Sequence, residues 1–178
     1  MGGEVYPDLQ STIFNSNYPA GTSYHQDYIL CANTTHTTYM LNSYAFETGY
    51  TGDALTKAKA ASNSMGYSFR VTKVVAALGS GATAELTVEV TQLGIAPFYY
   101  PLSLVVSCNN GSYQYNRTGL ELLLIQAGDA ANLTVSVANS YACLNQLSIS
   151  LSSTRILTGQ SIKFAQGNNG IVVVSIPS

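Results

Sequence analysis

The chain has 178 residues, and seven Lys or Arg plus nine Asp or Glu make only 16 charged side chains, with a net charge of −2. That is 9% of the chain, against roughly 25% in an average soluble domain. Seven scattered cations cannot track a phosphate backbone, which excludes a nucleic-acid partner. A hydrophobic content of 46% with so small a net charge excludes disorder. Ser, Thr and Asn contribute 50 residues, so hydroxyl and amide groups rather than charges must keep the surface wet.

In chain order, residues 1–23 have no helical period. They carry Val5, Leu9, Ile13 and Phe14 among polar residues, and Pro7 disfavours a central strand. We expect an extended N-terminal arm. Residues 24–66 are aromatic and polar, and seven of the 13 tyrosines lie within residues 1–66. Within 24–66 the run Gly52 to Ala61 is rich in helix formers. Asp53 can cap it, Gly66 can end it, and Leu55, Ala58 and Met65 would form its packed side. A second short helix is expected around Tyr39 to Phe46.

Residues 67–178 change character. Leu86, Val88 and Val90 alternate with Glu85, Thr87 and Glu89, the period-2 pattern of a half-buried strand. Leu102, Leu104, Val106 and Cys108 share a face, as do Leu133, Val135 and Val137. Leu147, Ile149 and Leu151 alternate with serines. Ile162 and Phe164, then Val172, Val174 and Ile176, complete the set, with glycines between the runs. The fold class expected is mainly β, an immunoglobulin-like antiparallel sandwich with a short helical elaboration and an arm before it. With no Trp, the Cys–Trp–Cys signature of true immunoglobulin domains is absent.

Compartment follows from cysteines and sequons. Cys108 ends one alternating strand and Cys143 precedes another, which pairs those two and leaves Cys31 over; the alternative is three buried thiols. N-x-Ser/Thr sequons start at Asn33, Asn110, Asn116 and Asn132. Asn132 is the strongest, because its strand turns Leu133, Val135 and Val137 inward. Together these features place the chain outside the cell or on its surface. No apolar run approaches the length of a membrane span. Met1 to Tyr6 shows no signal-peptide pattern, so a secreted form would have lost one or have it encoded outside this numbering.

Catalytic chemistry finds little support. His25, Asp27, Cys31 and His36 fall close together, but not at a zinc spacing. No G-x-S-x-G elbow occurs. Gly79-Ser80-Gly81 lacks the Lys of a P-loop, and nothing shows two carboxylates facing one another across a sugar. No metal, cofactor or catalytic residue is expected. Tyrosine faces can stack on pyranose rings, and Tyr99, Tyr100, Tyr113 and Tyr115 are the candidates for that role.

The stretches Met65-Gly66-Tyr67-Ser68-Phe69-Arg70, Gly94-Ile95-Ala96-Pro97-Phe98-Tyr99 and Ile162-Lys163-Phe164-Ala165-Gln166 resemble, in that order, three motifs of the C-terminal β-sandwich of an uncharacterised secreted domain family. The resemblance spans roughly residues 24–178. In that family a barrel-like domain often precedes the sandwich, in carbohydrate-active settings. Gln92 and Gln166 stand where the family's motifs carry Asn, and no residues of a barrel are present here to carry its chemistry.

The function expected is non-catalytic and structural: self-assembly with other copies into a pilus-like filament or surface layer. It would work by strand exchange through residues 4–14, with Val5, Leu9, Ile13 and Phe14 as anchors. The alternative is a carbohydrate-binding or adhesive accessory module with glycans as partners.

Overall fold

The structure, a computed structural model, describes residues 2–15, 27–108, 113–157 and 160–176. The chain separates into two units. Unit 1 comprises residues 1–67 with the loop 94–97; unit 2 comprises 68–93 and 98–178.

Unit 2 is an antiparallel β-sandwich. Among the described residues, one sheet has three strands, in the order β3 (Phe69–Ala77), β4 (Thr83–Gln92) and β7 (Ala130–Ala138). The other has four, in the order β6 (Tyr113–Thr118), β5 (Ser103–Cys108), β8 (Leu147–Ser152) and β9 (Val172–Val174). In immunoglobulin lettering these are ABE and C′CFG. The alternation fixes the register. Leu86 lies opposite Val135 and Val88 opposite Leu133, while Leu104 lies opposite Leu151 and Val106 opposite Ile149, so each pair turns inward together. The core combines these residues with Phe69, Leu102, Leu120, Leu147, Ile162 and Phe164. A disulfide joins Cys108, at the end of β5, to Cys143 in the one-turn helix α4 (Tyr141–Leu144), with Cα atoms 4.8 Å apart.

Gln92 and Gln166 both act on backbone. Gln92 is fully buried, and its Oε1 accepts from Ser68 N at 2.8 Å. Register shifts between Val71 and Lys73 where β3 meets β4, and Gln166 Nε2 donates to Val71 O at 2.6 Å. A bulge disturbs the pairing of its own strand, and this side chain supplies the donor there.

Unit 1 is built on different terms. Its elements are β1 (Gly2–Glu4), α1 (Tyr28–Thr35), β2 (Tyr39–Leu41), α2 (Tyr44–Glu47) and α3 (Gly52–Ser64). Strands β1 and β2 pair in parallel, Gly2 with Tyr39 through Glu4 with Leu41. The arm is therefore corrected for residues 2–15: they are not extended away from the chain but folded into this unit. After β1 the chain makes a 3-10 turn at Pro7–Leu9. Val5, Leu9 and Phe14 are buried in one cluster with Tyr28, Tyr50, Ala61 and Ile95, and Ile13 packs on its edge. The physical reason is that four apolar side chains find enough apolar partners within 94 residues of sequence to leave water without a second copy. Residues 16–23 of the expected arm lie outside the described residues.

Two further expectations change. Tyr39 to Phe46 is a three-residue strand followed by a single helical turn, not one helix. Helix α3 turns Ala61 inward, with Ala54, Ala58 and Met65 partly covered, while Leu55 is exposed. Its N-cap position is Thr51, and Asp53 instead pairs with Lys57 one turn on, at 3.4 Å. Gly66, with φ +73°, follows the helix end and donates its N–H to Thr37 O at 3.0 Å, a conformation that a side chain would strain.

Candidate functional site

The site is a cleft in unit 1 of about 150 Å³. Its walls come from α1, β2, α2, α3 and the segments between them. Phe14 arrives from the turn after the 3-10 segment, Tyr28 from the first residue of α1, and Tyr50 from the loop that follows α2. Phe14 stands edge-on to Tyr50, centroids 5.2 Å apart at 85°, and tilted against Tyr28 at 4.9 Å. Such offset and edge geometries suit the ring quadrupoles. Met40, Ala58 and Met65 supply the aliphatic part of the lining, and Ser62 the hydroxyl.

Local signals explain how the chain reaches these positions. Asp27 caps α1 by accepting from Leu30 N at 3.0 Å, which fixes Tyr28 at the helix start. Gly49, at φ +80°, donates to Tyr44 O at 2.7 Å and closes α2, so the chain turns back and Tyr50 points inward. Gln10 ties the three segments together. Its Nε2 donates to Val5 O at 3.1 Å, its Oε1 accepts from Tyr44 N at 3.2 Å, and its carbonyl accepts from the Tyr50 hydroxyl.

Two side chains set the chemistry. Asn42, between β2 and α2, donates through Nδ2 to the Tyr50 hydroxyl at 2.6 Å. Its Oδ1 is buried and has no hydrogen-bond partner among the described residues. A buried acceptor left unpaired costs about 1–3 kcal/mol, so a ligand that donates here recovers that cost. Phe46, on α2, lines the same cleft with 83% of its surface exposed, an aromatic face held out to solvent. Burial pushes the Tyr28 phenol above its ordinary value of 10.0, with the neighbouring Tyr50 adding to the effect. Burial also raises Tyr50, opposed by the Asn42 hydrogen bond and reinforced by Tyr44.

The residues singled out from the sequence fall elsewhere, with one exception. Phe14, expected to anchor a neighbouring copy, is a wall of this cleft. Tyr99 and Tyr100, in unit 2, are 56% and 55% exposed, with Tyr100 edge-on to Phe98 at 5.8 Å. Tyr113 and Tyr115 share a face of β6, opposite Cys108 and Val106. Tyr115 does not serve as a platform: it packs against the sandwich core and its hydroxyl accepts from Ala138 N at 3.0 Å. Asn33, Asn116 and Asn132 are exposed; Asn110 lies outside the described residues. Cys31 is free and exposed.

Of the four residues weighed as a metal set, Asp27 is the helix cap and His36 Nδ1 lies 2.9 Å from Ile95 O; His25 lies outside the described residues. Among the described residues no group of three or more His, Cys, Asp or Glu comes together, and no helix is long and apolar enough to cross a membrane. Two other carboxylates, like that of Asp27, accept from backbone N–H groups. Glu121 accepts from Leu102 N at 2.7 Å, and Asp129 from both Ile125 N and Gln126 N at 2.9 Å.

Sequence reasoning missed Tyr28, Asn42, Phe46 and Tyr50 as members of one site. The signal that pointed to them was compositional: the crowding of tyrosine into the first 66 residues, in a stretch with too little alternation to be sandwich.

No family model and no curated protein sequence matches the chain. Among solved structures the chain is similar to a GH3 β-glucosidase from Bifidobacterium adolescentis, at 15% identity and a TM-score of 0.33 over 62% of this chain. It is similar also to DesR, a β-glucosidase from Streptomyces venezuelae in complex with D-glucose, at 13% identity and TM-score 0.32. β-Glucosidase 3B from Thermotoga neapolitana, in complex with glucose, follows at 9% and 0.32. The match spans 62% of this chain in all three cases and 17%, 15% and 16% of those proteins.

Proposed function

We propose that the chain is a non-catalytic carbohydrate-binding module that works outside the cell or at its surface, with the unit 1 cleft as its binding site. The observation that carries this reading is the pairing of Phe46, an aromatic ring exposed at a cleft, with Asn42 Oδ1, a buried acceptor without a partner. A sugar offers the complement to both: an apolar C–H face for the ring and hydrogen-bond donors for the oxygen. Sites of this kind combine mostly apolar walls with a few placed polar groups. The commitment of Asp27, Glu121 and Asp129 to backbone N–H groups supports the non-catalytic part. The Cys108–Cys143 bridge and the exposed asparagines of three sequons support the extracellular setting.

Burial of Val5, Leu9 and Phe14 within their own unit supports this reading over self-assembly into a filament. The test sets the two readings against each other. The full chain and its Phe46→Ala variant are passed over insoluble polysaccharides and a glycan array, with light scattering across a concentration series. Retention of the native chain, its loss in the variant and a constant monomer mass are expected. Retention on no glycan, with a mass that climbs with concentration, would return the filament reading to first place.

A further inference from the structure

The lining carries several hydrogen-bonding residues, Ser62 among them, and two of these, Asn42 and Tyr28, hold groups of opposite kind. Asn42 Oδ1 is an acceptor with no donor. The Tyr28 hydroxyl is a donor spent on the thioether sulfur of Met65, at 2.9 Å. A thioether is a weak acceptor, so that proton can move to a carbonyl oxygen with net gain. The other phenol in the wall is already committed: Tyr50 donates to Gln10 O and accepts from Asn42 Nδ2. One free acceptor and one weakly held donor are the complement of a secondary amide, which brings one N–H and one C=O. Around them lie the methyl and thioether groups of Met40, Ala58 and Met65, which favour a methyl group over a further hydroxyl.

The size agrees. About 150 Å³ is well under the roughly 300–1,000 Å³ of sites for drug-sized ligands. A single small substituent enters, and the ring that bears it stays at the mouth beside Phe46. No Lys, Arg, Asp or Glu lines the cleft among the described residues, so the ligand is uncharged there.

We infer that the cleft selects N-acetylated sugars. The acetamido N–H donates to Asn42 Oδ1, its carbonyl accepts from the Tyr28 hydroxyl, and its methyl packs on the Met65 side. The pyranose ring stacks on Phe46. This rests on the carbohydrate-binding reading and narrows it to N-acetylhexosamines, at the end of a chain or as a branch.

The experiment titrates the full chain with N-acetylglucosamine, glucose and an N-acetyl-lysine peptide by calorimetry, and repeats it on Tyr28→Phe and Phe46→Ala. N-acetylglucosamine should bind at least about tenfold more tightly than glucose, since glucose leaves Asn42 Oδ1 or the apolar wall badly matched. Tyr28→Phe removes only a hydroxyl and should erase most of that preference while the melting temperature stays within the native range. Phe46→Ala, at an exposed position, should weaken both sugars alike. Equal affinity for the two sugars would overturn the acetamido assignment and leave the carbohydrate reading standing. Binding of neither sugar would overturn both. Binding of the acetylated peptide as tightly as the sugar would keep the amide and discard the sugar.

Discussion

The two units bury their cores by different means. Unit 2 stacks aliphatic side chains on two sheets at period 2, and a disulfide joins the end of β5 to α4. Among the described residues, none of its buried side-chain polar atoms lacks a partner. Unit 1 packs rings and thioethers among short elements, and hydrogen bonds to Gln10 and Tyr50 hold its segments together beyond the three-residue β1–β2 ladder. Both units expose rings, Tyr99 and Tyr100 in the sandwich and Phe46 in unit 1, but among the described residues only unit 1 leaves a buried acceptor without a partner. Recognition surfaces are drawn from regions whose local stability is low, and among the described residues the one unpaired buried side-chain acceptor lies in unit 1.

The contrast breaks most sharply at Phe14. Its replacement by Ala removes a ring that touches both Tyr28 and Tyr50, and should cost about 3–5 kcal/mol. The loss should appear in hydrogen exchange across α1 and α3, with β4, β5 and β7 still protected. Protection lost equally in both units would mean that the two cores are one cooperative structure.

Replacing Cys108 and Cys143 by Ala tests the other side. The bridge spans 35 residues, and a loop of that length is worth about 3–4 kcal/mol. The unfolding free energy of the sandwich from urea titration should fall by that amount, with a lower midpoint, while binding at the unit 1 cleft persists at low denaturant. An unchanged midpoint would show that packing around Leu144 and Leu147 already holds the two segments together.

Alkali should act on unit 1 first. Tyr28 and Tyr50 have pKa values raised from 10.0 by burial. The folded unit therefore holds phenolic protons more tightly than the unfolded chain. That stabilisation is fully present below pH 10.0 and disappears as pH climbs through the raised values. Phenolate absorbance should rise in step with the loss of unit 1 structure. Tyr28→Phe should move that transition to higher pH, and no displacement in the variant would place the cause elsewhere.

Smallest is the effect of glycan. Material from a glycosylating host should carry sugar on Asn132, which is exposed on β7 between buried Ala131 and Leu133. The thermal midpoint should barely change, because the outer face of that strand already lies in water. An intact mass equal to the bare polypeptide would rule this out.

These differences also explain what could be read from sequence. Leu86, Val88 and Val90 announce a strand because every second residue meets the same environment, so six residues suffice. The Gly52 helix is legible from composition, and Ala58 and Met65 of its expected packed side do lie against the core; Leu55 does not, and Ala61, with little apolar surface to announce it, is the buried residue. Asp27 is a helix cap that only the following backbone reveals. Strand β2 exists because Gly2 to Glu4 lie alongside it, a contact across more than 30 positions with no local trace. The cleft was least legible, since Phe14, Tyr28, Asn42, Phe46 and Met65 follow no common period and meet only through packing.

The loop 94–97 carries a consequence for the chain's history. Ile95 is buried in unit 1, its N–H donates to Ser64 O at 3.1 Å, and Ala96 N donates to Gly66 O at 2.9 Å. These residues lie between β4 and β5 of the sandwich. A recombination breakpoint at residue 67 would therefore strip unit 1 of part of its own core, and the sandwich transferred alone would carry a loop shaped for an absent partner. Gene shuffling can move the two units only together, as a single heritable cassette, and substitutions in that loop answer to the unit it fills and not to the strands it joins.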